Sequence, residues 1–385
     1  MHSSRRQFLG ITAALAVTSP SFGAEATLKA AVIGHTGRGD FGHGLETIFR
    51  DRQGIRLVAV ADPDPKGRER VIQATGAPRG YADWRDLLAK EKPDLVSIAM
   101  RHADSHAEIA LACLKSGAHL YLEKPFVRSP DEADAVLSAA QKHQRRVAVA
   151  HTMRMTPAVR SLKVAIENGR IGQLRELRAY GKQDARTGGE DMMVLGTHLF
   201  DLMRLMAGNP KWCSAQVTAG GLSITREHRR QVKDSVGWVA GDRVVAQFGL
   251  DHEVLATFVS DSSLRETIGH WGIEFLGSKG VARLICDLVP RVFIRTAGSW
   301  SPAGRIDEWK PLDGSESTPQ GTVDHNAAPV SDWLRAIAEN REPECSAQNG
   351  AAAIEMVSAV YHSSLSQKRV QFPLPMRSHP LSPTV

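Results

Sequence analysis

The chain has 385 residues, of which 42% are hydrophobic and 23% are charged, and its formal net charge is +6. This length predicts two hydrophobic cores rather than one. The lysines and arginines are spread along the chain without interleaved aromatic residues, so we expect no nucleic-acid partner.

The first predicted element is an export signal. The stretch SRRQFLG at residues 4–10 matches the twin-arginine pattern, and a short apolar run at 11–17 follows it. This run is too short and too interrupted to span a bilayer, so we expect no stable membrane anchor. We predict that residues 1–26 are a signal peptide read by the twin-arginine export machinery, with cleavage after Ala26 or Gly23. The mature protein is then periplasmic or otherwise exported.

The next elements indicate a nucleotide-binding fold. Apolar runs end on Gly34 and on Asp62, and a helix-length segment that starts near Phe41 lies between them. The order of strand, glycine-rich turn, helix, strand and acid predicts the first βαβ unit of a doubly wound parallel sheet. Further apolar runs alternate with amphipathic helices, at 94–100, 119–125 and 145–151. We predict an NAD-binding Rossmann domain over residues 27–150.

The pattern of apolar and polar residues changes in the second half of the chain. From residue 173 onwards, short segments of alternating apolar and polar residues predict a large open mixed or antiparallel sheet, with a helix at 196–208. A Gly/Ser/Pro-rich stretch at 301–322 predicts an exposed loop. We therefore predict a substrate and oligomerisation domain of α+β class over 151–323. Residues 324–385 are expected to form helices and a tail that brace the Rossmann domain.

The glycine-rich turn can be aligned in two registers. Counting from the strand end gives Gly34, Gly37 and Gly39, whereas the literal GxGxxG falls on Gly37, Gly39 and Gly42. The first register is favoured because the first glycine is needed where the strand turns and amides face a pyrophosphate. The predicted cofactor contacts in this loop are Gly34, Thr36, Gly37, Arg38 and Gly39.

Asp62 predicts which dinucleotide is bound. A carboxylate at the end of the second strand accepts hydrogen bonds from the adenosine ribose and repels a 2′-phosphate, so we expect NAD rather than NADP. Lys66 and Arg68 lie close by in the sequence. They either reach a phosphate or belong to a solvated helix start.

Two residues are candidates for catalysis. Lys124, in LYLEKPF, follows Glu123 at the carboxyl edge of a sheet strand, where ligands bind in this architecture. The alternative is a surface Lys-Pro turn. His198 begins a predicted helix and has Asp201 one turn later on the same face, where a carboxylate can orient the imidazole. A structural role is the alternative for His198.

Several stretches together resemble the Gfo/Idh/MocA oxidoreductase family over residues 28–375. They are the first-strand loop, EKP, HTMRMTPAV with Arg154 and Pro157, GTHLFDL, FLGSKG and the closing region from ENREPE. The resemblance implies a Rossmann domain, a C-terminal α+β domain with an open sheet, a nicotinamide cofactor, a carbohydrate substrate and a dimer or tetramer. It also implies that Lys124 is the active-site lysine, that His198 is the acid/base histidine, and that Glu123 contacts the cofactor.

One position departs from the family pattern. Members commonly carry an aspartate four residues before the histidine, in DxGxH, whereas this chain has Val194. The usual relay of Asp, Lys and His is therefore incomplete. Glu190 and Asp191 either supply a displaced carboxylate or are charges at a loop tip.

Other polar residues give weaker signals. His102 and His106 have i,i+4 spacing but no third ligand, which predicts substrate contacts or capping groups rather than a metal site. The four cysteines lack CxxC spacing and are predicted to be buried free thiols. The remaining substrate candidates are Arg154, Asp191, Thr197 and Asp201.

These observations predict an NAD-dependent oxidoreductase that acts on a sugar, polyol or glycoside. Export away from a free cofactor pool implies a tightly bound cofactor and chemistry that is redox-neutral overall. The alternatives are an NAD-retaining glycosidase that acts through a transient keto-sugar, an ordinary dehydrogenase whose signal is misread, and a non-catalytic sugar or dinucleotide sensor. Val194 favours the last of these.

Overall fold

The computed structural model describes residues 27–265, 271–287, 289–296, 308–315 and 324–383. The twin-arginine pattern and its cleavage region lie outside the described residues, as does most of the predicted loop at 301–322. None of the helices in the described part of the chain is long and apolar enough to cross a membrane.

The N-terminal half contains a parallel sheet. In the described residues its strands are β1 (Leu28–Ile33), β2 (Ile55–Ala61), β3 (Gly80–Tyr81), β4 (Leu95–Ile98), β5 (His119–Leu122) and β6 (Val147–Val149). They pair in parallel in the order β3-β2-β1-β4-β5-β6. The order reverses between β1 and β4, so a crevice opens at their carboxyl ends. The predicted doubly wound sheet is confirmed.

Helices cover both faces of this sheet. The helices that follow its strands are α1 (Pro65–Thr75), α2 (Trp84–Glu91), α3 (His106–Lys115) and α4 (Pro130–Lys142). Helix α5 (Pro157–Glu167) comes next in the chain and packs against the second domain. The Asp64 carboxylate starts α1 by accepting a hydrogen bond from the Gly67 amide, and proline follows it at the first helical position. The Asp83 carboxylate caps α2 in the same way.

The prediction of a helix that starts near Phe41 is wrong. The segment between β1 and β2 contains a single 3-10 turn, Leu45–Thr47. Asp40 has a φ of 51°, His43 of 49° and Gly44 of 77°. Residues in the left-handed region cannot propagate a right-handed helix, so the chain turns repeatedly instead.

The second half forms the predicted large sheet. Its described strands are β7 (Leu174–Tyr180), β8 (Pro210–Ala219), β9 (Leu222–Ser223), β10 (Arg243–Leu250), β11 (Leu255–Asp261), β12 (Gly272–Gly277), β13 (Gly280–Ile285), β14 (Arg291–Thr296), β15 (Lys310–Pro311) and β16 (Val370–Gln371). The order is β15-β14-β13-β12-β7-β11-β10-β8-β16, with β9 beside β8. Only β7 and β11 pair in parallel among these described strands, so the sheet is mixed and mostly antiparallel.

The helix predicted at 196–208 is longer than expected. It begins as α6 (Gly188–Asp191), passes through a π-helical segment, Met192–Gly196, and continues as α7 (Thr197–Ala207). Single π turns inside α-helices frequently mark functional sites.

The C-terminal helices contact both halves of the molecule. They are α8 (Ala327–Ala338) and α9 (Ala347–Ser366). Trp333 of α8 is fully buried, packs against Phe49 and Tyr121, and donates from Nε1 to the carbonyl of Arg146. Helix α9 packs against α4, α7 and β8. The two helices therefore join the Rossmann core to the second domain.

Candidate active site

A cavity of about 640 Å³ lies between the carboxyl edge of the parallel sheet and the second domain. Its volume is typical of a small-molecule site. The Rossmann half contributes His43, Arg101, Lys124 and Pro125 to its wall, and the second domain contributes Lys182, Val194, His198 and Trp271.

The glycine-rich loop begins where β1 ends. Gly34 directly follows Ile33, and its amide still donates to the carbonyl of Ala61. A Cβ on Gly34 would lie 2.2 Å from the ring of Phe41, so no larger residue fits there. The strand end thus falls where the register of Gly34, Gly37 and Gly39 requires it.

The outer face of this loop fits a dinucleotide phosphate. Gly37 and Gly39 have φ values of 79° and 82°, which glycine adopts without strain. A Cβ on Gly37 would meet no atom within 4 Å, so this face is open. Arg38 lies beside it, half-exposed and paired with Asp104. A backbone that ligands can approach closely, next to a cation, suits the pyrophosphate of a nicotinamide dinucleotide.

Asp62 differs from its predicted role. The residue is fully buried, and its carboxylate accepts hydrogen bonds from the Thr36 amide at 3.0 Å, the Thr36 hydroxyl at 2.6 Å and the Asp64 amide at 3.0 Å. Both of its oxygens are therefore engaged by the loop. Asp62 fixes the loop, and the Thr36 hydroxyl takes the outer position. Lys66 is exposed at the start of α1, while Arg68 donates to the carbonyl of Asp62.

Glu123 and Lys124 form the wall of the cavity next to the sheet. Glu123 is fully buried, contacts the ring nitrogen Nδ1 of His43, and accepts from the Lys124 amide. Burial alone would raise the pKa of Glu123, but His43 and Lys124 lower it, so the carboxylate is charged. Sequence analysis missed His43, because its contact with Glu123 joins residues 80 positions apart.

Lys124 extends from this wall towards the second domain. The side chain is 8% exposed, and Nζ lies 3.4 Å from the carbonyl oxygen of Val194. Burial lowers the pKa of Lys124, and the charge of Glu123 opposes this shift. A buried ammonium with few partners is a strong hydrogen-bond donor to an oxygen in the cavity.

His198 faces Lys124 from the second domain. It is 8% exposed, it lines the cavity, and its Nδ1 is buried without a hydrogen-bond partner among the described residues. Burial, reinforced by the charges of Lys124, His151 and His43, holds the pKa of His198 well below its ordinary value. The neutral imidazole is therefore the form present near pH 7, and it can accept a proton.

Two further rings contact His198. The ring centroids of His198 and Trp271 lie 5.6 Å apart, and those of His198 and His151 lie 5.3 Å apart. Sequence analysis did not identify either neighbour. His151 ends the run VAVAH after the last parallel strand, so the strand-end rule that selected Lys124 was a signal for it as well.

The prediction that Asp201 orients His198 directly is wrong. Asp201 is fully buried, and its Oδ1 accepts from Nη1 of Arg154 at 2.7 Å. Helical spacing places His198 and Asp201 on one face, but the guanidinium of Arg154 competes for the carboxylate. Neither Arg154 nor Asp201 lines the described part of the cavity, so their predicted substrate contacts are not seen.

Asp191 and Thr197 are also away from the cavity wall. Asp191 accepts from the Ser260 hydroxyl at 2.7 Å, and burial raises its pKa to about 6. It is a buried helix residue rather than a charge at a loop tip, and it does not replace the aspartate missing at Val194. The Thr197 hydroxyl donates to the carbonyl of Met193 within its own helix.

The histidine pair has a structural role. Both ring nitrogens of His106 contact backbone carbonyls, those of Met100 at 2.8 Å and Pro125 at 3.0 Å, and the ring is fully buried. His102 precedes the 3-10 turn Ala103–Ser105, with its backbone against Gly39. The predicted substrate contacts of these two residues are therefore not seen in the described cavity wall. The four cysteines are buried and unpaired, as predicted.

At Val194, where the family pattern has an aspartate, it is the main-chain carbonyl oxygen that lies near Lys124. Val194 lies in the π-helical segment and lines the cavity, and its carbonyl is the group near Lys124 Nζ. A carbonyl dipole thus stands where a carboxylate charge would otherwise lie. The interaction with the ammonium is correspondingly weaker.

Comparison with protein families identifies both halves of the chain. Residues 28–151 match a model described as an oxidoreductase family with an NAD-binding Rossmann fold, named GFO_IDH_MocA. Residues 163–372 match the C-terminal alpha/beta domain of the same family. The chain belongs to the Gfo/Idh/MocA oxidoreductase family. It is therefore an NAD(P)-dependent oxidoreductase with an NAD(P)-binding Rossmann domain.

Several named dehydrogenases are similar to this chain at low sequence identity. D-apiose dehydrogenase of Paraburkholderia graminis is 24% identical over 351 residues, covering 87% of this chain and 88% of the relative. Myo-inositol 2-dehydrogenase of Thermotoga maritima is 27% identical over 241 residues, covering 60% and 68%. A levoglucosan dehydrogenase in complex with NADH and levoglucosan aligns with a TM-score of 0.71 at 20% identity, covering 90% and 99%. That structural likeness establishes the fold.

Proposed function

We propose that this protein oxidises a hydroxyl group of a sugar, polyol or glycoside with NAD as hydride acceptor. The observation that carries the proposal is the meeting of Lys124 and His198 in one cavity at the carboxyl edge of the Rossmann sheet. The relatives named above act, by their names, on D-apiose, myo-inositol and levoglucosan.

The two residues divide the proton chemistry. Lys124 donates a hydrogen bond to the reacting hydroxyl and stabilises the alkoxide that forms, and its lowered pKa makes it a better donor. His198, kept neutral by burial and nearby cations, accepts the hydroxyl proton. A bound nicotinamide supplies the hydride acceptor. Both groups are buried, which strengthens these electrostatic interactions.

The part of the cavity wall that contains Lys182, Asp184, Arg186 and Asp234 suits a substrate with many hydroxyls. Arg186 pairs with Asp184 at 2.6 Å and with Asp234 at 3.5 Å, and Lys182 lies 3.5 Å from Asp184. This row of ion pairs offers donors and acceptors at fixed positions. Trp271 adds an apolar ring on the same side as His198. A few fixed polar groups against apolar surface are typical of small-molecule sites.

We propose NAD rather than NADP as the cofactor. The buried charge of Asp62 lies under Thr36, where an adenosine 2′-phosphate would approach, and would repel it. Arg70 contacts the Thr36 hydroxyl at 3.4 Å, and its positive charge would instead attract a 2′-phosphate. Competition between NAD and NADP for the purified protein tests this choice, and tighter binding of NADP would contradict it.

We also propose export by the twin-arginine route, supported by SRRQFLG at residues 4–10. A tightly held cofactor and redox-neutral chemistry follow from export, since no free cofactor pool then restores the oxidised form. Cell fractionation tests the route: changing Arg5 and Arg6 to lysine should trap the protein in the cytoplasm. Unchanged export of this variant would contradict it.

We further propose a homo-oligomer, either a dimer or a tetramer. The face of the large sheet that points away from its helices carries the half-buried apolar residues Val245, Leu255 and Val259. Light scattering of the full-length protein, whose chain mass is 41.9 kDa, should give at least twice that mass. A monomer at micromolar concentration would contradict the proposal.

The activity itself is tested with a panel of sugars, polyols and glycosides. We expect one of them to change the near-ultraviolet absorbance of the nicotinamide in the wild type. Release of an aglycone without net cofactor reduction would instead identify the glycosidase reaction. Binding of a sugar without any turnover would contradict the proposal and favour a sensor.

A further inference from the structure

A buried polar cluster lies behind His198, away from the cavity wall. It consists of His151, Arg154, His198 and Asp201, which are 2%, 8%, 8% and 0% exposed. Apart from the pair of Arg154 and Asp201, its polar atoms have no hydrogen-bond partners in the described structure. They are both ring nitrogens of His151, Nδ1 of His198, Oδ2 of Asp201 and Nε of Arg154. Buried polar atoms are nearly always paired, so their concentration at one place requires an explanation.

The backbone fixes His151 between the other members. Its amide donates to the carbonyl of Val149 at 2.7 Å, and its carbonyl accepts from Sγ of Cys345 at 3.6 Å. The ring meets the ring of His198 edge-on, at an interplanar angle of 68°. The side chain therefore has little freedom to turn away from His198.

The charged groups that act on the two histidines differ: Asp201 acts on His151 but not on His198. Burial lowers the pKa of His151, and the carboxylate of Asp201 is the largest influence that opposes this shift, because it favours the protonated ring. No carboxylate acts on His198 in the same way; the charged groups that act on it are Lys124, His151 and His43, and each disfavours the imidazolium. His151 is thus the member through which the negative charge of Asp201 can reach His198.

We propose that His151 is a positioning residue that connects Asp201 to His198 during catalysis, in place of the carboxylate absent at Val194. The inference rests on the proposed function, because it assigns the proton path of that site. One buried water typically makes about three hydrogen bonds. In this proposal one water joins Nδ1 of His198, a ring nitrogen of His151 and Oδ2 of Asp201, which are buried and otherwise without partners in the described structure.

This connection fixes the tautomer of His198. With its proton on Nδ1, donated towards the cluster, His198 keeps the lone pair of Nε2 for the cavity. The substrate hydroxyl gives its proton to Nε2, and the Nδ1 proton passes through the water to the unprotonated nitrogen of His151. His198 is then neutral again, and the positive charge resides on His151, which donates to Oδ2 of Asp201. The other oxygen of Asp201 accepts from Nη1 of Arg154 at 2.7 Å.

The groups that face the cluster from neighbouring elements set its charge. Lys124, Arg154, Glu123 and Asp201 act on His151, and Arg204 and Cys345 face Asp201 from α7 and from the loop before α9. Two carboxylates and three cations thus surround the histidines. Removal of Asp201 would leave Glu123 as the remaining acid acting on His151.

The side-chain ¹⁵N NMR spectrum of the full-length protein without substrate tests this inference. The spectra of wild type, His151→Phe, His151→Gln and Asp201→Asn are compared, with the His198 signal assigned by His198→Gln. We expect a single Nδ1–H tautomer of His198 in the wild type and in His151→Gln, which retains a polar group. A mixture of tautomers is expected in His151→Phe and Asp201→Asn. The same tautomer in all four proteins would overturn the inference.

Matched controls separate this result from misfolding and from failure of the proposed function. His379→Asn removes a half-buried histidine that does not line the cavity, and should leave the His198 signal unchanged. If the wild type oxidises a sugar, kcat of His151→Phe should fall on the order of tenfold to a hundredfold with KM nearly unchanged. Absence of turnover in the wild type would refute the proposed function, and the tautomer of His198 would still decide this inference.

Discussion

At the scale of single residues, burial gives Lys124 and His198 complementary properties. It lowers the pKa of both groups, which strengthens the lysine as a proton donor and keeps the histidine neutral. The rate should fall as the pH drops through the lowered pKa of His198, and also as it rises through the lowered pKa of Lys124. The active range is therefore displaced to lower pH relative to free imidazole and amine.

Asp62→Ala should weaken binding of the dinucleotide. The variant removes the acceptor for the Thr36 amide and hydroxyl, so the glycine-rich loop loses its anchor. We expect Kd for NAD to rise roughly tenfold to a hundredfold, because hydrogen bonds to charged groups contribute about 1.5 to 3 kcal/mol. Titration calorimetry measures the change. Asp62→Asn, which keeps one acceptor and removes the charge, should instead raise the affinity for NADP relative to NAD; an unchanged ratio would contradict the charge argument.

Some site residues can be predicted from sequence and others cannot. Lys124 follows a strand that reads clearly as apolar, so its place at the sheet edge follows from topology alone. The partner of Asp201 does not follow from helical spacing, because Arg154 reaches it from another element. Asp62 was correctly placed at the end of β2, but its hydrogen bonds to Thr36 depend on the shape of a loop that only the structure shows.

At the scale of elements, the π-helical segment determines which group of Val194 meets Lys124. Val194→Asp would add a carboxylate beside the ammonium and should raise the pKa of Lys124. The alkaline limb of the pH profile of kcat/KM should then move to higher pH. Val194→Asn is the matched control, since it is polar, similar in size and uncharged. A shift of the same size in both variants would refute the electrostatic explanation.

Helix α8 attaches the C-terminal region to the Rossmann core through one large side chain. Trp333→Ala should lower the free energy of unfolding by about 3 to 5 kcal/mol, because a fully buried ring packed on Phe49 and Tyr121 is lost. Trp333→Phe removes mainly the hydrogen bond to Arg146 and should cost about 1 kcal/mol. Urea unfolding measures both, and equal effects would show that packing of the ring contributes little.

The fold itself was largely predictable, with one informative failure. Alternating apolar strands and amphipathic helices identified the parallel sheet, and short alternating segments identified the second sheet. The segment after Phe41 has helical length, yet the left-handed conformations of Asp40, His43 and Gly44 prevent a helix. Of these three residues, only Gly44 indicates a left-handed conformation by its residue type. The conformations of Asp40 and His43 depend on tertiary contacts.

At the scale of the whole molecule, two half-buried histidines make stability depend on pH. His119 accepts a hydrogen bond from the Arg146 amide on Nδ1, and its pKa is lowered to about 4 by burial and by the charges of Arg145 and Arg146. His379 accepts from the Leu381 amide, and burial is the main cause that lowers its pKa to about 4. Below the ordinary value of 6.5 the unfolded chain takes up protons that the native protein cannot bind.

The free energy of unfolding should therefore fall as the pH drops from 6.5 towards about 4. Asp191 opposes this trend, because its raised pKa, about 6, lets the native state take up a proton first. The double variant His119→Asn and His379→Asn keeps acceptors at both sites without titrating, so its stability should depend less on pH over this window. Urea unfolding at several pH values makes the comparison, and identical profiles would contradict the assignment.

Retention of the cofactor also concerns the whole molecule. With an association rate of about 10⁶ M⁻¹s⁻¹, retention for an hour requires a Kd of about 10⁻¹⁰ M. If the proposed retention holds, the loop of Gly34 to Gly39 and the residues that line the cavity supply that affinity. Protein purified from cells without added nucleotide should therefore contain NAD, and an empty site would contradict tight retention.

In the proposed reaction Lys124 and His198 promote oxidation of a carbohydrate hydroxyl in one cavity. This proposal is tested most directly by the single-turnover rate of nicotinamide reduction, followed by absorbance after the active sugar is mixed with protein saturated with NAD. In Lys124→Ala this rate should fall on the order of 10²- to 10⁴-fold, while Kd for NAD and for the sugar changes little. A Lys124→Ala protein that reduces its cofactor at the wild-type rate would contradict the account.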